Sequence, residues 1–418
     1  MTSMKKLIAL LLALVMALGL AACSSPTGDK TSDGDTSTSA KPEGNGDSSQ
    51  PAGDKTSDTD AASGTKPEGN DESGQPDGAS PLEGKHIGLL IYSTTTPWAM
   101  NIIDTTQSLC DSLGMKLTVA EAGTPNDVIT GAENLLSANI DGMLCAMDGG
   151  IANKVMELTE SHQVYTTFTF TNILEEEYYD QIADSEYYAG SINSQDFEAA
   201  YDMTQHCIDM GADKWVYLGM PEGAGPSIDA RADGFKACLA DNNLELLSEA
   251  RTFDKVEGAQ NLITNFPQLN GFGAGNNAAK NASGALESAG KMGSVYMFCF
   301  EAAESYVQEY FDNGCLHGCA DGVVGHVELA LAQLCNALTG NMLLGEDGRA
   351  VGFSIPYIIA YDSDDFSALI ANSYDGNMIF NLDELKNMIT VFNPDATADT
   401  MRAAVDAFSI EDLLARRA

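Results

Sequence analysis

The chain has 418 residues, 61 acidic and 21 basic side chains, and a formal net charge of −40. Its 44% share of apolar residues is enough to bury a core, and its length predicts two or three domains. The charge argues against a nucleic-acid partner, because a phosphate backbone is bound by a basic surface, and against lying flat on anionic lipid. Its nine cysteines are too few for a small disulfide scaffold.

Residues 1–22 are predicted to be a lipoprotein signal peptide. Two lysines precede an uncharged apolar run at 7–20, which is shorter than the roughly 20 residues of a bilayer span. An uncleaved signal anchor is the alternative. The ending Leu20-Ala21-Ala22-Cys23 resembles a bacterial lipobox. This resemblance implies cleavage before Cys23, acylation of its thiol and a protein anchored to the outer face of a membrane.

Residues 23–81 are predicted to be a disordered acidic tether rich in Ser, Gly and Asp. From residue 24 to residue 81 the chain has no aromatic residue and no Leu, Ile, Val or Met. It therefore lacks the apolar surface that offsets the entropy of ordering. The hexapeptide at 28–33 returns at 53–58, and a repeat without a hydrophobic face is a duplicated spacer. A flexible coil of roughly 58 residues spans about 40–45 Å.

From residue 82 onward, short apolar runs alternate with amphipathic ones. The apolar runs predict buried strands at 87–92, 117–120, 142–146, 164–170, 215–219, 295–300 and 353–360. The amphipathic runs predict helices at 98–113, 127–138, 196–210, 231–242, 277–289 and 323–338. This alternation predicts an α/β fold of βαβ units, and the length predicts two parallel sheets. Such sheets bind ligands at the carboxyl ends of their strands, so we expect a site between two lobes.

The sequence contains no recognisable catalytic constellation. It has no phosphate-binding loop, no Gly-x-Ser-x-Gly elbow and no His-Glu-x-x-His pair. The glycines at 271–275 lack the spacing of a dinucleotide loop and predict a turn. We therefore expect no catalytic residue and no cofactor.

Cys315, His317 and Cys319 alternate along a segment that could be extended. Two sulfurs and an imidazole on one face would suit zinc, but no fourth ligand is visible in the sequence. Thiols and an imidazole packed in a core are the favoured interpretation, so no metal is predicted. A Cys315–Cys319 disulfide stays open as a third interpretation.

From about residue 85 to residue 361 the order of elements resembles the type I periplasmic binding proteins, in the sugar-binding branch that includes ribose-binding proteins and shares its core with lac-type repressors. Five local patterns carry the resemblance: Thr-Pro-Trp at 96–98, Gln-Asp-Phe-Glu-Ala at 195–199, Arg-x-x-Gly-Phe at 231–235, Phe-Asp at 253–254 and Phe-Gly-Ala-Gly-Asn-Asn at 272–277. A repressor would begin with a helix-turn-helix, whereas this chain begins with the lipobox-like signal.

The resemblance implies two Rossmann-like lobes joined by a three-strand hinge, with crossovers near Ile192, Ala320 and Gly352. The expected divisions are 82–192 with 321–351 for lobe 1, 193–320 with 352–381 for lobe 2, and 382–418 for a C-terminal helical extension. The extension is expected to pack on a lobe; a partner-binding helix at 400–417 is the alternative.

The resemblance also implies a set of ligand-binding residues. Trp98 would stack on the apolar face of a sugar, Arg231 would donate to two hydroxyl oxygens, and Phe253 would cap a ring. The full set is Thr96, Trp98, Phe168, Arg231, Phe253, Asn276, Glu301 and Asp321. Core packing for Trp98, an ion pair with a neighbouring aspartate for Arg231 and loop capping for Asn276 are the alternatives.

Two departures from the family pattern bear on the ligand. Thr96 stands where ribose-binding proteins carry Asn, and Phe168 with Thr169 falls where they carry an Asp-Arg pair at the end of the fourth strand. Fewer hydrogen-bonding groups disfavour ribose and favour a larger pyranoside, a modified sugar or a more apolar molecule with polar edges. A single arginine disfavours a multiply charged anion.

The resemblance thus implies a lipid-anchored extracytoplasmic protein that closes on a small neutral polar ligand, a sugar or sugar-like molecule. The closed form would be presented to a membrane permease of the ABC type. We expect a monomer that touches the membrane through lipidated Cys23. Two alternatives stay open: a sensory subunit for a chemoreceptor or kinase, and a lipid-anchored hydrolase that uses Glu301 and Asp321.

Overall fold

Two six-stranded sheets form in the residues that the computed structural model describes, 80–276, 278–300 and 306–418. The predicted signal peptide, Cys23 and the tether up to residue 79 lie outside these ranges. In chain order the strands are β1 (His86–Ile91), β2 (Lys116–Glu121), β3 (Gly142–Ala146), β4 (Tyr165–Thr171), β5 (Tyr188–Ser194), β6 (Trp215–Gly219), β7 (Leu246–Arg251), β8 (Gly271–Ala274), β9 (Tyr296–Cys299), β10 (Leu316–Asp321), β11 (Gly352–Ile355) and β12 (Ile358–Ala360).

The strand order confirms the predicted α/β class with two parallel-dominated sheets. The first sheet has the order β11-β5-β4-β3-β1-β2, and all its neighbouring strands are parallel. The second has the order β12-β10-β9-β8-β6-β7, in which only β12 runs antiparallel to its neighbour. We call the parts of the chain around the first and second sheets lobe 1 and lobe 2.

Helices connect the strands. They are α1 (Pro97–Leu113), α2 (Pro125–Ser137), α3 (Ala152–Ser161), α4 (Tyr179–Ala183), α5 (Asp196–Asp209), α6 (Pro226–Asp241), α7 (Lys255–Asn265), α8 (Ala279–Ser288), α9 (Val307–Asp312), α10 (Val323–Leu338), α11 (Ser363–Ser373), α12 (Leu382–Lys386), α13 (Ala398–Asp406) and α14 (Ile410–Arg417). In α1 and α2 a threonine side chain caps the first turn and proline follows it, the sequence signal of a helix start. None of the helices in the described ranges is long and apolar enough to cross a bilayer.

Both faces of each sheet are covered, which is why the strands appear in the sequence as continuous apolar runs. In lobe 1, Leu89 packs in one cluster with residues of α1 and α10, while the next residue, Leu90, packs in another with residues of α2 and α3. In lobe 2, Tyr217 packs with residues of α5 and α6, and Leu218 packs with residues of α7 and α8.

The turn predicted at 271–275 is wrong, because Gly271–Ala274 is β8, a central strand of the second sheet. Its glycines make room for the large rings of β6. A Cβ atom on Gly271 would lie 2.4 Å from the Trp215 ring, and one on Gly273 would lie 2.7 Å from the Tyr217 ring. The glycines that weaken a strand pattern in the sequence are therefore required by close packing.

The chain crosses between the lobes three times. The first crossover leaves β5 after Ser194 and enters α5, and the second leaves β10 at Asp321 and enters α10. The single strand predicted at 353–360 is wrong: β11 pairs with β5 in lobe 1, whereas β12 pairs with β10 in lobe 2. The third crossover therefore lies at Pro356 and Tyr357, and its expected position at Gly352 is corrected.

The segment 382–418 packs against both lobes. Its helix α12 contacts α10 and α13 contacts β11, both in lobe 1, while α14 contacts β12 and α11 in lobe 2. Just before this segment, the buried Glu328 of α10 accepts from the backbone N–H groups of Ile379 at 3.1 Å and Phe380 at 2.8 Å. Arg417 donates to the carbonyl of Ile379 at 2.6 Å.

Burial of Glu328 gives this attachment a pH dependence. Burial raises the pKa of Glu328 to about 8, while the two N–H donors and the nearby Arg416 and Arg417 lower it by less. The unfolded chain loses this proton near its ordinary pKa of about 4.3. We expect the free energy of unfolding of the native chain to fall, relative to Glu328→Gln, by about 1.4 kcal/mol per pH unit between pH 4.5 and 8.

Urea unfolding of both proteins at pH 5, 6, 7 and 8 measures this difference. Above pH 8 the difference in free energy of unfolding between the native chain and Glu328→Gln should stop growing, because Glu328 has then lost its proton in both the folded and the unfolded state. A constant difference from pH 5 to pH 8 would contradict the assignment of a protonated carboxyl to Glu328.

Candidate binding cleft

The directions of the strands and crossovers locate a cleft between the lobes. The chain leaves lobe 1 at the carboxyl ends of β5 and β11, and it leaves lobe 2 at the carboxyl end of β10. The loops after the other parallel strands emerge at the same two edges. Both edges therefore border the space that the crossovers span, the usual place of a ligand in open α/β sheets.

Arg231 of α6 is the best-defined polar group at this cleft. Its Nε donates to Asp196 Oδ1 at 2.6 Å, and its Nη2 donates to the Tyr357 hydroxyl at 2.9 Å. That hydroxyl donates in turn to Asp196 Oδ1 at 2.9 Å. The guanidinium carbon lies 4.2 Å from the centre of the Phe300 ring. We call these four residues the Arg231 network.

The Arg231 network keeps a charge in a place with little solvent. The Asp196 side chain has no exposed surface, and 14% of the Arg231 side chain is exposed. Burial lowers the pKa of Arg231, but Tyr357 and Asp196 raise it by more, so its pKa lies above the ordinary value and the guanidinium stays charged. Burial raises the pKa of Tyr357, so its hydroxyl stays protonated and can donate to Asp196.

One nitrogen of the Arg231 guanidinium is not engaged by the described residues. Among the described residues no hydrogen-bond partner reaches Arg231 Nη1, while Nε and Nη2 are both engaged. A guanidinium fixed at two nitrogens presents the N–H groups of the third in one direction. Such a group can donate to the oxygens of a bound molecule without a large loss of side-chain entropy.

An aromatic pair lies on the lobe 1 side. The Trp98 ring, at the start of α1, meets the Phe170 ring edge to face, with 5.0 Å between the ring centres. Phe170 has a φ of 58°, and the pairing of β4 with β5 shifts between Thr169 and Thr171. A bulge of this kind redirects a side chain, and a bulky residue at positive φ persists where its surroundings hold it. Both rings are half-buried.

Acidic groups follow two strands of lobe 1. Glu121, the last residue of β2, accepts from the backbone N–H of Thr94 at 2.9 Å and from its hydroxyl at 2.6 Å. Asp148 lies just after β3 and is buried. Burial raises the pKa of Asp148 to about 6, while N–H groups of its own loop and the Thr171 hydroxyl lower it by less. Near neutral pH this carboxyl can thus exchange a proton.

The structure corrects or reassigns three of the sequence-predicted site residues. Phe168 is wrong as a ligand contact, because its side chain has no exposed surface and packs in the lobe 1 core; Phe170, two residues later, takes the cleft position. Thr96 is the N-cap of α1, where its side chain accepts from the N–H of Ala99. Asp321 is buried at the second crossover and accepts from the Tyr374 hydroxyl at 2.6 Å.

The other predicted residues lie in loops and helices after the strands or fall outside the described ranges, and their binding roles stay predictions. Phe253 lies after β7 with 73% of its surface exposed, at the rim of lobe 2. Asn276 follows β8 with a φ of 45°, half-buried, and no described residue pairs with its buried Oδ1. Glu301 is not among the described residues. Trp98 and Arg231 are brought to the cleft as described above.

Sequence reasoning missed Asp196, Phe300 and Tyr357 as members of the site. Asp196 stood within a quoted family pattern, and its place directly after a crossover was the available signal. Tyr357 was read as part of a strand, although the proline before it marks a break. Phe300 closes a predicted strand, the position at which a parallel sheet presents side chains to a cleft.

The Cys315, His317 and Cys319 cluster is divided between separate contacts. Cys315 Sγ lies 3.3 Å from Ser283 Oγ, and Cys319 Sγ lies 3.5 Å from Cys299 Sγ. Both Cys315 and Cys319 are free thiols in this structure. Within the described ranges, no group of three or more His, Cys, Asp or Glu side chains is arranged to hold a metal ion.

Comparisons with known proteins support the fold alone. No protein-family model matches the chain, and no curated protein matches its sequence. Solved structures match its shape. A twin-arginine translocation pathway signal protein from Burkholderia phytofirmans is 17% identical, with a TM-score of 0.60 over 70% of this chain and 94% of its own. An ABC transporter periplasmic solute binding protein from Actinobacillus succinogenes with bound D-allose is 15% identical, with a TM-score of 0.58 over 68% and 99%. An ABC transporter solute binding protein from Bacillus halodurans with bound myo-inositol is 14% identical, with a TM-score of 0.57 over 71% and 100%.

Removal of the Tyr357 hydroxyl tests the Arg231 network. We expect Tyr357→Phe to lower the free energy of unfolding by about 1–3 kcal/mol, because Arg231 Nη2 loses its acceptor and Asp196 loses a donor in a buried place. The matched control is Tyr201→Phe, whose exposed hydroxyl donates to Asp241 at 3.0 Å; an exposed substitution should change stability by less than about 0.5 kcal/mol. Urea unfolding measures both variants, and equal effects would contradict the network.

Proposed function

We propose that the chain is an extracytoplasmic solute-binding protein that captures a sugar or sugar-like molecule between its lobes and delivers it to an ABC importer. The observation that carries the proposal is the Arg231 network, which fixes one donor group at the cleft beside the Phe300 ring. The solute-binding proteins with similar folds, including those with bound D-allose and myo-inositol, support the same function.

The cleft chemistry favours a neutral molecule with polar edges and apolar faces. The Trp98–Phe170 pair offers apolar ring surface on lobe 1, and Phe300 does so on lobe 2. Aromatic rings stack on the C–H faces of sugars, while fixed donors and acceptors bind hydroxyl groups at the edges. The charge of Arg231 is already matched by Asp196 at 2.6 Å, so a ligand anion would add an unmatched charge.

A second arginine, Arg251, lies at the cleft edge of lobe 2, and its charge is also matched by protein groups. Arg251 ends β7, and its guanidinium donates to Asp229 and to the carbonyl of Met220, each at 2.5 Å. Both contacts lie within lobe 2, so this charge is also matched without a ligand. Because Arg231 and Arg251 are each paired with an aspartate, they add hydrogen-bond donors to the cleft but no net positive charge.

Capture without bond cleavage is the form of the proposal that the site supports. The hydrolase alternative needs Asp321 as one of two carboxyl groups that act on the ligand. That carboxylate accepts from the Tyr374 hydroxyl at 2.6 Å and from the N–H of Gly322 at 2.6 Å, which occupies it in the second crossover. Hinge motion at the crossovers, which would close the lobes on a ligand, is the mechanism proposed instead.

Lipid anchoring through Cys23 completes the proposal. The lipobox-like ending at 20–23 would place acyl chains on Cys23 and so hold the lobes at the outer face of the membrane.

A thermal-shift screen tests the binding function. The panel contains D-allose, myo-inositol, D-fucose, L-arabinose and D-tagatose, with D-galacturonate as a charged comparison. We expect at least one neutral sugar to raise Tm, because a ligand at 100 times its Kd stabilises the folded state by about 2.7 kcal/mol. Arg231→Lys and Trp98→Ala should each reduce the shift by more than half.

Arg349→Lys is the matched control for Arg231→Lys. Arg349 pairs with Asp180 and Asp184 on an exposed face, so its replacement should leave the sugar shift unchanged. A shift kept in full by both cleft variants would contradict the site. A sugar recovered from the complex in altered form would contradict capture without chemistry.

Detergent partitioning tests the anchor. We expect the native chain, made in a bacterium that processes lipoproteins, to enter the detergent phase of Triton X-114. Mass spectrometry of Cys23→Ser should find no acyl mass on the chain, because serine at residue 23 offers no thiol for acylation. Ser24→Ala is the control and should behave like the native chain. Native chain in the detergent phase without acyl mass on Cys23 would contradict lipidation at this residue.

A further inference from the structure

His326 contacts residues at the first and third crossovers and follows the second crossover in the chain. It is the fourth residue of α10, directly after the second crossover, and its side chain is fully buried. Its Nδ1 lies 3.0 Å from the hydroxyl of Ser194, the last residue of β5 before the first crossover. Its Nε2 lies 3.2 Å from the carbonyl oxygen of Pro356 in the third crossover.

The partners of the two nitrogens fix the tautomer. A carbonyl oxygen can only accept, so the Nε2 of His326 carries the proton and donates to Pro356. Its Nδ1 is then an acceptor, which receives the Ser194 hydroxyl. The bond in which Nδ1 accepts requires a neutral ring, and burial lowers the pKa of His326 to about 4.

The ring faces of His326 touch both parts of the binding cleft. On the lobe 1 side the Phe170 ring stacks on it, with ring centres 5.8 Å apart and an angle of 25° between the planes. The Tyr357 ring of the Arg231 network also lies against the imidazole, with ring centres 5.4 Å apart and an angle of 53° between the planes. Phe408 from the C-terminal segment covers a third side at 5.7 Å. The imidazole thus lies between the aromatic pair of lobe 1 and the Arg231 network.

We propose that His326 is a positioning residue: it joins the three crossovers into one pivot and thereby fixes Phe170 and Tyr357 relative to each other. The part that concerns ligand recognition rests on the proposed function, whereas the pivot itself does not. A ring held by hydrogen bonds in its plane and by aromatic rings on its faces has one defined orientation. Phe170 and Tyr357, which face the proposed ligand, are then both held by the His326 ring.

Hydrogen exchange of the full chain without sugar tests the pivot independently of ligand binding. The backbone N–H of Gln195, in the first crossover, donates to the carbonyl of Ile355 at 2.9 Å and so reports whether the first and third crossovers stay joined. Exchange at this amide requires the local opening of that contact. Mass spectrometry with fragmentation resolves it from the amides of α10.

His326→Phe keeps a ring of similar size and removes both hydrogen bonds. We expect the Gln195 amide to exchange at least about tenfold faster in this variant, with little change at 330–337 in the C-terminal half of α10. Ser194→Ala, which removes only the bond to the first crossover, should give a smaller acceleration. His326→Gln restores a donor and an acceptor and should recover more than half of the protection.

The matched control is His317→Phe. His317 is a half-buried histidine of β10 whose ring lies 5.0 Å from Tyr296, away from the crossovers. The His317→Phe variant should leave hydrogen exchange at the Gln195 amide unchanged. An unchanged Gln195 amide in His326→Phe would overturn the proposal, and so would equal acceleration throughout α10, which would indicate general loosening. Failure of the sugar screen would leave these results unaffected.

Discussion

The arrangement of the cleft depends on one buried charge, the guanidinium of Arg231. A guanidinium does not lose its proton in a protein, so the fold must supply acceptors wherever Arg231 is buried. Asp196 comes directly after the first crossover, and Tyr357 lies in the third. The charge is therefore satisfied only when both crossovers are in place. Because of this, the interaction that orients the candidate ligand-binding side chain also stabilises the connection between the lobes.

The proposed site is divided between lobes that share a common support. Lobe 1 contributes the Trp98–Phe170 pair, lobe 2 contributes Arg231 with Phe300, and His326 lies between the two sets. A ligand that touches both sets gains its full contact only in a closed arrangement, so binding and closure are coupled through differential affinity for the closed state. The C-terminal segment packs on both lobes. A hinge motion between the lobes must therefore also shift this segment.

Periodicity in the sequence was sufficient for the fold class and for the central strands, because a strand buried on both faces is a continuous apolar run. It failed where tertiary packing determines the conformation. The sequence predicts a turn where Gly271–Ala274 is a strand, because the aromatic rings that need these glycines lie on another strand. For the site, the family pattern led to Arg231 and Trp98. The bulge in β4 moved the cleft position from Phe168 to Phe170, and a bulge leaves no periodic signal. Tyr357 was missed because its role depends on a crossover that only the sheet pairing reveals.

The central claim is that an unaltered neutral molecule is bound between the two aromatic faces, with Arg231 Nη1 donating to it. A crystal structure of the chain grown with the sugar that gives the largest thermal shift tests this most directly. We expect density for the intact sugar between Phe170 and Phe300, with one of its oxygens within hydrogen-bonding distance of Nη1. Density for the sugar on an outer face of either lobe, or for a cleaved product in the cleft, would contradict it.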